Sequence, residues 1–144
     1  MVRAIVLCAL LCSTLSLRAE TVLSTAIKPG CTRASLQKAV DQYLDALKNG
    51  TPSKMPLAPQ AKYIENRKEI PFGKGIWQEP LAVDFNRSLL DVEICETFTE
   101  IIHTSSSHPY VLGTRLKVAD DKISEIEALV TDKGDWLFNA ENYL

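Results

Sequence analysis

The sequence predicts an α+β domain in which one long N-terminal helix packs on one face of a curved antiparallel sheet. Three observations predict it. Apolar residues recur at helical spacing in one segment, between Thr32 and Gly50. Alternating segments rich in Val, Ile, Thr and Phe fill the second half of the chain. A tight polar turn, Ala119-Asp120-Asp121-Lys122, joins two of those segments into a hairpin. Such a layout forms a cone whose open end is an apolar pocket, a common way for a small domain to hold a small organic ligand.

The chain begins with a leader. Met1-Val2-Arg3 is a basic start, Ala4 to Leu17 is an apolar run, and Arg18-Ala19 offers a small residue before a cut. This three-part pattern is that of a secretory signal peptide, residues 1–19. The run is too short for a bilayer that needs about 20 apolar residues, and no later stretch is apolar enough to span one. Cleavage leaves residues 20–144 as one domain. It removes Arg3 and Arg18, taking 16 basic residues to 14 against 18 acidic ones, a net charge of −4. An acidic chain of pI 5.7 has no electrostatic footprint for nucleic acid.

Of four cysteines, Cys8 and Cys12 leave with the leader. Cys31 and Cys95 then pair most simply as one disulfide in an oxidising compartment; a free thiol is the rival reading. The closed loop is worth roughly 3 to 4 kcal/mol by loop-closure entropy. Two sequons, Asn49-Gly50-Thr51 and Asn86-Arg87-Ser88, make Asn49 and Asn86 candidate glycosylation sites. Pro52 weakens the first. There is no Cys-x-x-Cys, and the two histidines, His103 and His108, supply no metal-ligand pattern.

The helix starts at Thr32, a good N-cap. Leu36, Val40, Tyr43, Leu44 and Leu47 form its apolar stripe, and Asn49-Gly50 ends it. Pro56 and Pro59 limit Ser53–Gln60 to a short turn of helix or a loop. Lys62–Phe72 alternates as a strand, with Ile64, Asn66, Lys68 and Ile70 on the face expected to point inward. Gly73-Lys74-Gly75 turns the chain. A linker runs to Phe85. Leu89–Ser105 is the longest expected strand, with Leu90, Val92, Ile94, Phe98 and Ile102 inward beside Glu96 and Glu100. Tyr110–Val118 and Ile123–Thr131 form the hairpin. On the second of these, Ile123, Glu125, Glu127 and Leu129 share one face. Asp135 and Trp136 form a corner, and the tail packs through Trp136-Leu137-Phe138.

Several pieces together resemble a known family. They are Tyr63-Ile64-Glu65-Asn66, Asp84-Phe85-Asn86-Arg87-Ser88-Leu89-Leu90-Asp91, and Cys95 with Thr97-Phe98-Thr99-Glu100. They continue with His108-Pro109-Tyr110-Val111-Leu112-Gly113-Thr114 and Gly134-Asp135-Trp136-Leu137-Phe138-Asn139-Ala140. The chain is similar to secreted fungal SnoaL-like proteins of the nuclear-transport-factor-like fold, which also includes ketosteroid isomerases and polyketide cyclases. The resemblance implies a cone-shaped domain over most of residues 31–140. It implies a ketosteroid-isomerase-like cyclase of fungal secondary metabolism that forms carbon–carbon bonds. One such activity is dimerisation of anhydride-bearing polyketide monomers to maleidrides. It implies a homodimer through the open sheet face and no cofactor. In ketosteroid isomerases an aspartate before a Pro-x-Gly turn is the general base. Here the turn is Pro71-Phe72-Gly73 and the matching residue is Ile70, which cannot take a proton.

The candidate polar groups are therefore others. Glu100, on an apolar face, is either a general acid or base with a raised pKa or a paired structural carboxylate. His103 is a candidate proton shuttle near neutral pH, and His108 a weaker one. Asn66 bonds either backbone or a ligand carbonyl. Arg87 and Arg115 either grip an anionic ligand, such as a diacid, or sit solvated on the surface. Tyr63 and Trp77 line the mouth of the cone or close its core. Asp91 ties a turn or orients an arginine. There is no phosphate-binding glycine loop and no nucleophile elbow. Two functions follow: the cyclase, or a non-catalytic protein that carries a small hydrophobic or polyketide-derived molecule. A structural protein without a ligand is a third. The place of action is outside the cell or in the secretory lumen.

Overall fold

A computed structural model describes residues 31–104, 107–135 and 138–144. The expected leader, residues 1–19, and Trp136 and Leu137 of the expected tail packing lie outside the described residues. Helix α1 spans Arg33–Asn49. Six strands follow: β1 Leu57–Glu65, β2 Lys68–Glu69, β3 Phe85–Asp91, β4 Glu96–His103, β5 Tyr110–Ala119 and β6 Lys122–Asp132. Single 3-10 turns lie at Pro52–Lys54, Gly75–Gln78 and Ala140–Tyr143. The strands form one sheet in the order β2-β1-β6-β5-β4-β3. β1 runs parallel to β6, and every other pairing is antiparallel.

Local chemistry sets the helix ends. The Thr32 hydroxyl accepts from the Ser35 N–H at 3.1 Å, and the Ser35 hydroxyl accepts from the Thr32 N–H at 2.9 Å. This reciprocal cap satisfies two otherwise orphaned donors. Gly50 ends the helix in the left-handed region at φ 61°, where a side chain would be strained. The buried face of α1 is Leu36, Ala39, Val40, Tyr43, Leu44, Ala46 and Leu47. It lies on the concave side of the sheet against Ile101, Leu112, Leu116, Ile123 and Ile126, which are fully buried. A disulfide joins Cys31, just before α1, to Cys95, just before β4, with Cα atoms 5.5 Å apart.

Four expectations about the strands are corrected. The prolines do not keep 53–60 out of the sheet. β1 begins at Leu57, and its register with β6 breaks between Leu57 and Lys62, around Pro59. The expected strand 62–72 folds back as a hairpin, because Asn66 and Arg67 take positive φ of 48° and 68°. The segment 89–105 is likewise two strands. Asp91 caps a turn by accepting from the Glu93 and Ile94 N–H groups, and Cys95 sits at φ 61°. Finally, Ser124 is an extra residue opposite Lys117 and Val118. This bulge puts Ile123 on the buried side with Ile126 instead of beside Glu125 and Glu127.

The inner face of β4 is also the reverse of the expected one. Thr97, Thr99, Ile101 and His103 are buried, while Phe98 is 47% exposed. Phe98, of the expected inner phase, lies with Leu89 and Leu129 on the outer side of the sheet. Phe98 packs there across Gly113, where a Cβ would meet the ring at 3.0 Å. Ile102, in the same outer phase, is fully buried, and the turn Ala140–Tyr143 lies against its strand.

Candidate functional site

The cone is filled where the helix meets the sheet. Trp77 is 3% exposed and meets Tyr43 and Tyr63 edge-on, with centroids 5.6 and 6.1 Å apart. Phe72 stacks on the other side of Tyr63. The Tyr43 hydroxyl pairs with Thr114 Oγ1 at 3.0 Å, and Ser88 pairs with Thr99 at 2.9 Å. Burial, only partly offset by the Thr114 bond, raises the Tyr43 pKa. Tyr63 and Trp77 thus close the core.

Open space begins above this layer, at the ends of three strands. His103 on β4 pairs in register with Tyr110 on β5, which pairs with Asp132 on β6. All three side chains share the concave phase, so the sheet itself aligns them. The His103 and Tyr110 rings stack at 6.3 Å, and Tyr110 stacks on His108 at 4.7 Å. His103 is 7% exposed, and its Nδ1 lies 3.7 Å from the Asp84 carboxylate. That carboxylate is itself held by the Thr104 N–H at 2.6 Å and hydroxyl at 3.1 Å. His108 Nε2 meets Asp132 Oδ2 at 2.9 Å.

On the far side of Tyr110, the Tyr63 hydroxyl donates to Glu65, which also accepts from the Ile76 N–H at 2.9 Å. Burial first, then the bond to Glu65 and its charge, push the Tyr63 pKa up and keep it a protonated donor. A Cβ on Gly75 would collide with this carboxylate, so the turn Gly75–Gln78 needs glycine there. Two clefts of about 340 and 350 Å³ open here. They share Gly75, Ile76, Gln78 and Tyr110, so together they form the mouth. His103 lines the first and Glu65 the second.

The other sequence candidates, Asn66 excepted, lie away from the mouth. Glu100 does not face the core. It pairs with Arg87 at 2.7 Å on the outer side of the sheet, because the inner phase of β4 belongs to His103. Asn66 is no inward strand residue. It sits in the β1–β2 turn at the wall of the second cleft, donating to the Val130 carbonyl and accepting from its N–H. Arg115, also on the outer side, meets Glu96, Glu125 and Glu127 at 3.1, 2.5 and 2.6 Å. Burial pulls its pKa down, and the three glutamates more than offset this, so it stays charged. Neither arginine is available to grip a ligand in the mouth. Ile70 is half-buried against the core. Asn49 ends α1, its amide bonded to Asp45, and Asn86 is exposed on the edge strand β3. Asp84, Glu65, Tyr110 and Asp132 were missed as candidates. The missed signal was the phase of Thr97, Thr99, Ile101 and His103, whose β-branched residues mark a buried face. Among the described residues no His, Cys, Asp and Glu group is placed to hold a metal ion, and no helix is long and apolar enough to cross a membrane.

These ion pairs make acid stability predictable. Burial alone raises the Glu125 pKa, but bonds from Lys117 and Arg115 outweigh it and hold the group below its ordinary 4.5. His108, then the Gly134 N–H, hold Asp132 below 3.8. Both folded values are depressed, so their stabilisation is complete above the unfolded values and is lost as pH falls through the folded ones. Urea titrations are expected to show this contribution intact from about pH 7 to 5 and declining below about pH 4. Equal stability at about pH 3 and 6 would contradict it.

A family model described as a domain of unknown function, DUF8021, matches residues 30–130. The chain belongs to the DUF8021 family. No curated protein matches it. Solved structures similar to this DUF8021 chain include a "putative ketosteroid isomerase" from Kribbella flavida. That chain is 17% identical, with 77% of this chain and 88% of that one covered, at TM-score 0.55. A "putative polyketide cyclase" from Xanthomonas campestris is 14% identical over 77% and 95% of the two chains, also at 0.55. An LEH-like epoxide hydrolase of M. tuberculosis is 16% identical over 68% and 84%, at 0.51. At such identities the likeness shows the fold alone: the nuclear-transport-factor-like cone.

Proposed function

We propose that this DUF8021 chain is a ketosteroid-isomerase-like cyclase whose mouth binds a polyketide-derived carbonyl compound. The observation that carries the reading is the His103–Asp84 pair. It is a nearly buried imidazole whose Nδ1 lies 3.7 Å from a carboxylate that is itself anchored, and it lines a cleft of ligand size. His103 takes a proton from the carbon next to a carbonyl. Tyr110 donates to the enolate oxygen. Burial, then Asp132, Glu79 and Glu65, raise the Tyr110 pKa and keep that proton in place. The enolate carbon then bonds to a second carbonyl carbon held beside it, and the resulting alkoxide takes the proton back from His103. Coupling of two anhydride-bearing monomers to a maleidride is the special case that the sequence resemblance favours. The Cys31–Cys95 disulfide supports action in an oxidising, secretory compartment.

A non-catalytic carrier is the second reading. It is favoured by the Tyr43, Tyr63 and Trp77 layer, which packs the interior of the cone with aromatic rings. Deleting the gene in its native host separates the two. The cyclase reading expects an uncyclised precursor to accumulate. Re-expression of the wild type should clear it, and His103→Gln should clear it roughly 10²- to 10⁴-fold more slowly. An unchanged metabolite profile on deletion leaves only the carrier. Full rescue by a folded His103→Gln variant removes His103 from the mechanism.

A further inference from the structure

The charges around the mouth say which ligand it takes. Glu79 lines one cleft, and Glu65, Asp132 and Asp135 line the other. Asp84 stands behind His103. Among the described residues, no lysine or arginine lines either cleft. Lys74 and Lys133, sequence neighbours of lining residues, line neither. The two arginines that a carboxylate would seek, Arg87 and Arg115, are on the opposite side of the sheet and already hold glutamates. His108 pairs with Asp132. Concave walls concentrate such a field, and the two clefts that these groups line share Gly75, Ile76, Gln78 and Tyr110.

We infer that the mouth selects by charge, accepting an uncharged carbonyl compound and rejecting carboxylates and phosphates. Glu65, Glu79, Asp132 and Asp135 are the specificity-determining residues. The inference rests on the mouth being the ligand site, and it deepens that reading by naming the substrate class. A precursor bearing free acids must therefore be masked before it enters, by a dehydration that forms an anhydride, lactone or ester.

Paramagnetic relaxation measured with amino-, hydroxy- and carboxy-substituted TEMPO nitroxides tests this on the full protein. At low salt the cationic probe should broaden the Gly75, Gln78 and Tyr110 amides about threefold or more beyond the anionic one, with the neutral probe between. High salt should draw the ratio toward one. Glu79→Lys, an exposed position outside the catalytic pair, should lower the ratio in the first cleft. An anionic probe as effective as the cationic one in the wild type overturns charge selection, whatever the reaction. An unchanged metabolite profile on gene deletion overturns the cyclase reading and leaves the field measurement standing.

Discussion

Trp77→Ala is expected to cost about 3–5 kcal/mol in urea unfolding, the range for a large buried aromatic truncated to alanine. Trp77 sits on the 3-10 turn Gly75–Gln78, which has little regular backbone bonding of its own. Its ring instead anchors the turn by edge contacts with Tyr43 of α1 and Tyr63 of β1. Deleting it removes transfer energy and leaves a void that three separate elements cannot easily close. The same turn carries Gly75, Ile76 and Gln78 of the mouth, so the variant should also lose the mouth's shape. Phe85→Ala, at an exposed position on the outer side of β3, should change stability by less than about 1 kcal/mol. Equal effects of the two substitutions would mean that Trp77 does not close the cone.

Removing the disulfide is the second large effect. The two cysteines are 64 residues apart, and a loop of that length gives a chain-entropy value of roughly 4 kcal/mol. The bond ties the start of α1 to the turn between β3 and β4. Cys31→Ser with Cys95→Ser is therefore expected to lower stability by about that amount and to fray the first turns of α1. Hydrogen exchange would place the loss: amides of Leu36 to Val40 should exchange faster, while those at the centre of β5 keep protection against local opening. A double variant as stable as the wild type under non-reducing conditions would show that the bond constrains little.

The outer side of the sheet explains why the site was hard to read. Leu90, Val92, Ile94, Phe98 and Ile102 share a phase with Glu96 and Glu100, and by hydrophobicity alone this phase is the core face. Yet on β4 Phe98 is 47% exposed, and charged residues on that side of the sheet find partners across strands, Arg87 with Glu100 and Arg115 with three glutamates. The inner phase looked less apolar because three threonines line it. Their hydroxyls are tolerated there where neighbours bond them, as Tyr43 does for Thr114 and Ser88 for Thr99. Phase within a strand of period two is decided by what covers each side, and that cover comes from α1, distant in sequence.

The sequence by itself determined what depends on near neighbours. It set one helix with its Thr32 cap and Gly50 stop, the hairpin of β5 and β6, and the α+β order of elements. It also made Cys31 and Cys95 the simplest disulfide pair, with a free thiol as the rival. Only the tertiary structure decided which side of β4 is inside, where β1 turns back, and that a bulge at Ser124 re-phases β6. The candidate site belongs to this second group. His103, Tyr110 and Asp132 meet because three strands align in register. Glu65 joins them because β1 docks in parallel on β6. No local periodicity encodes such a meeting, since it is fixed by pairings between segments that only the packed sheet brings together.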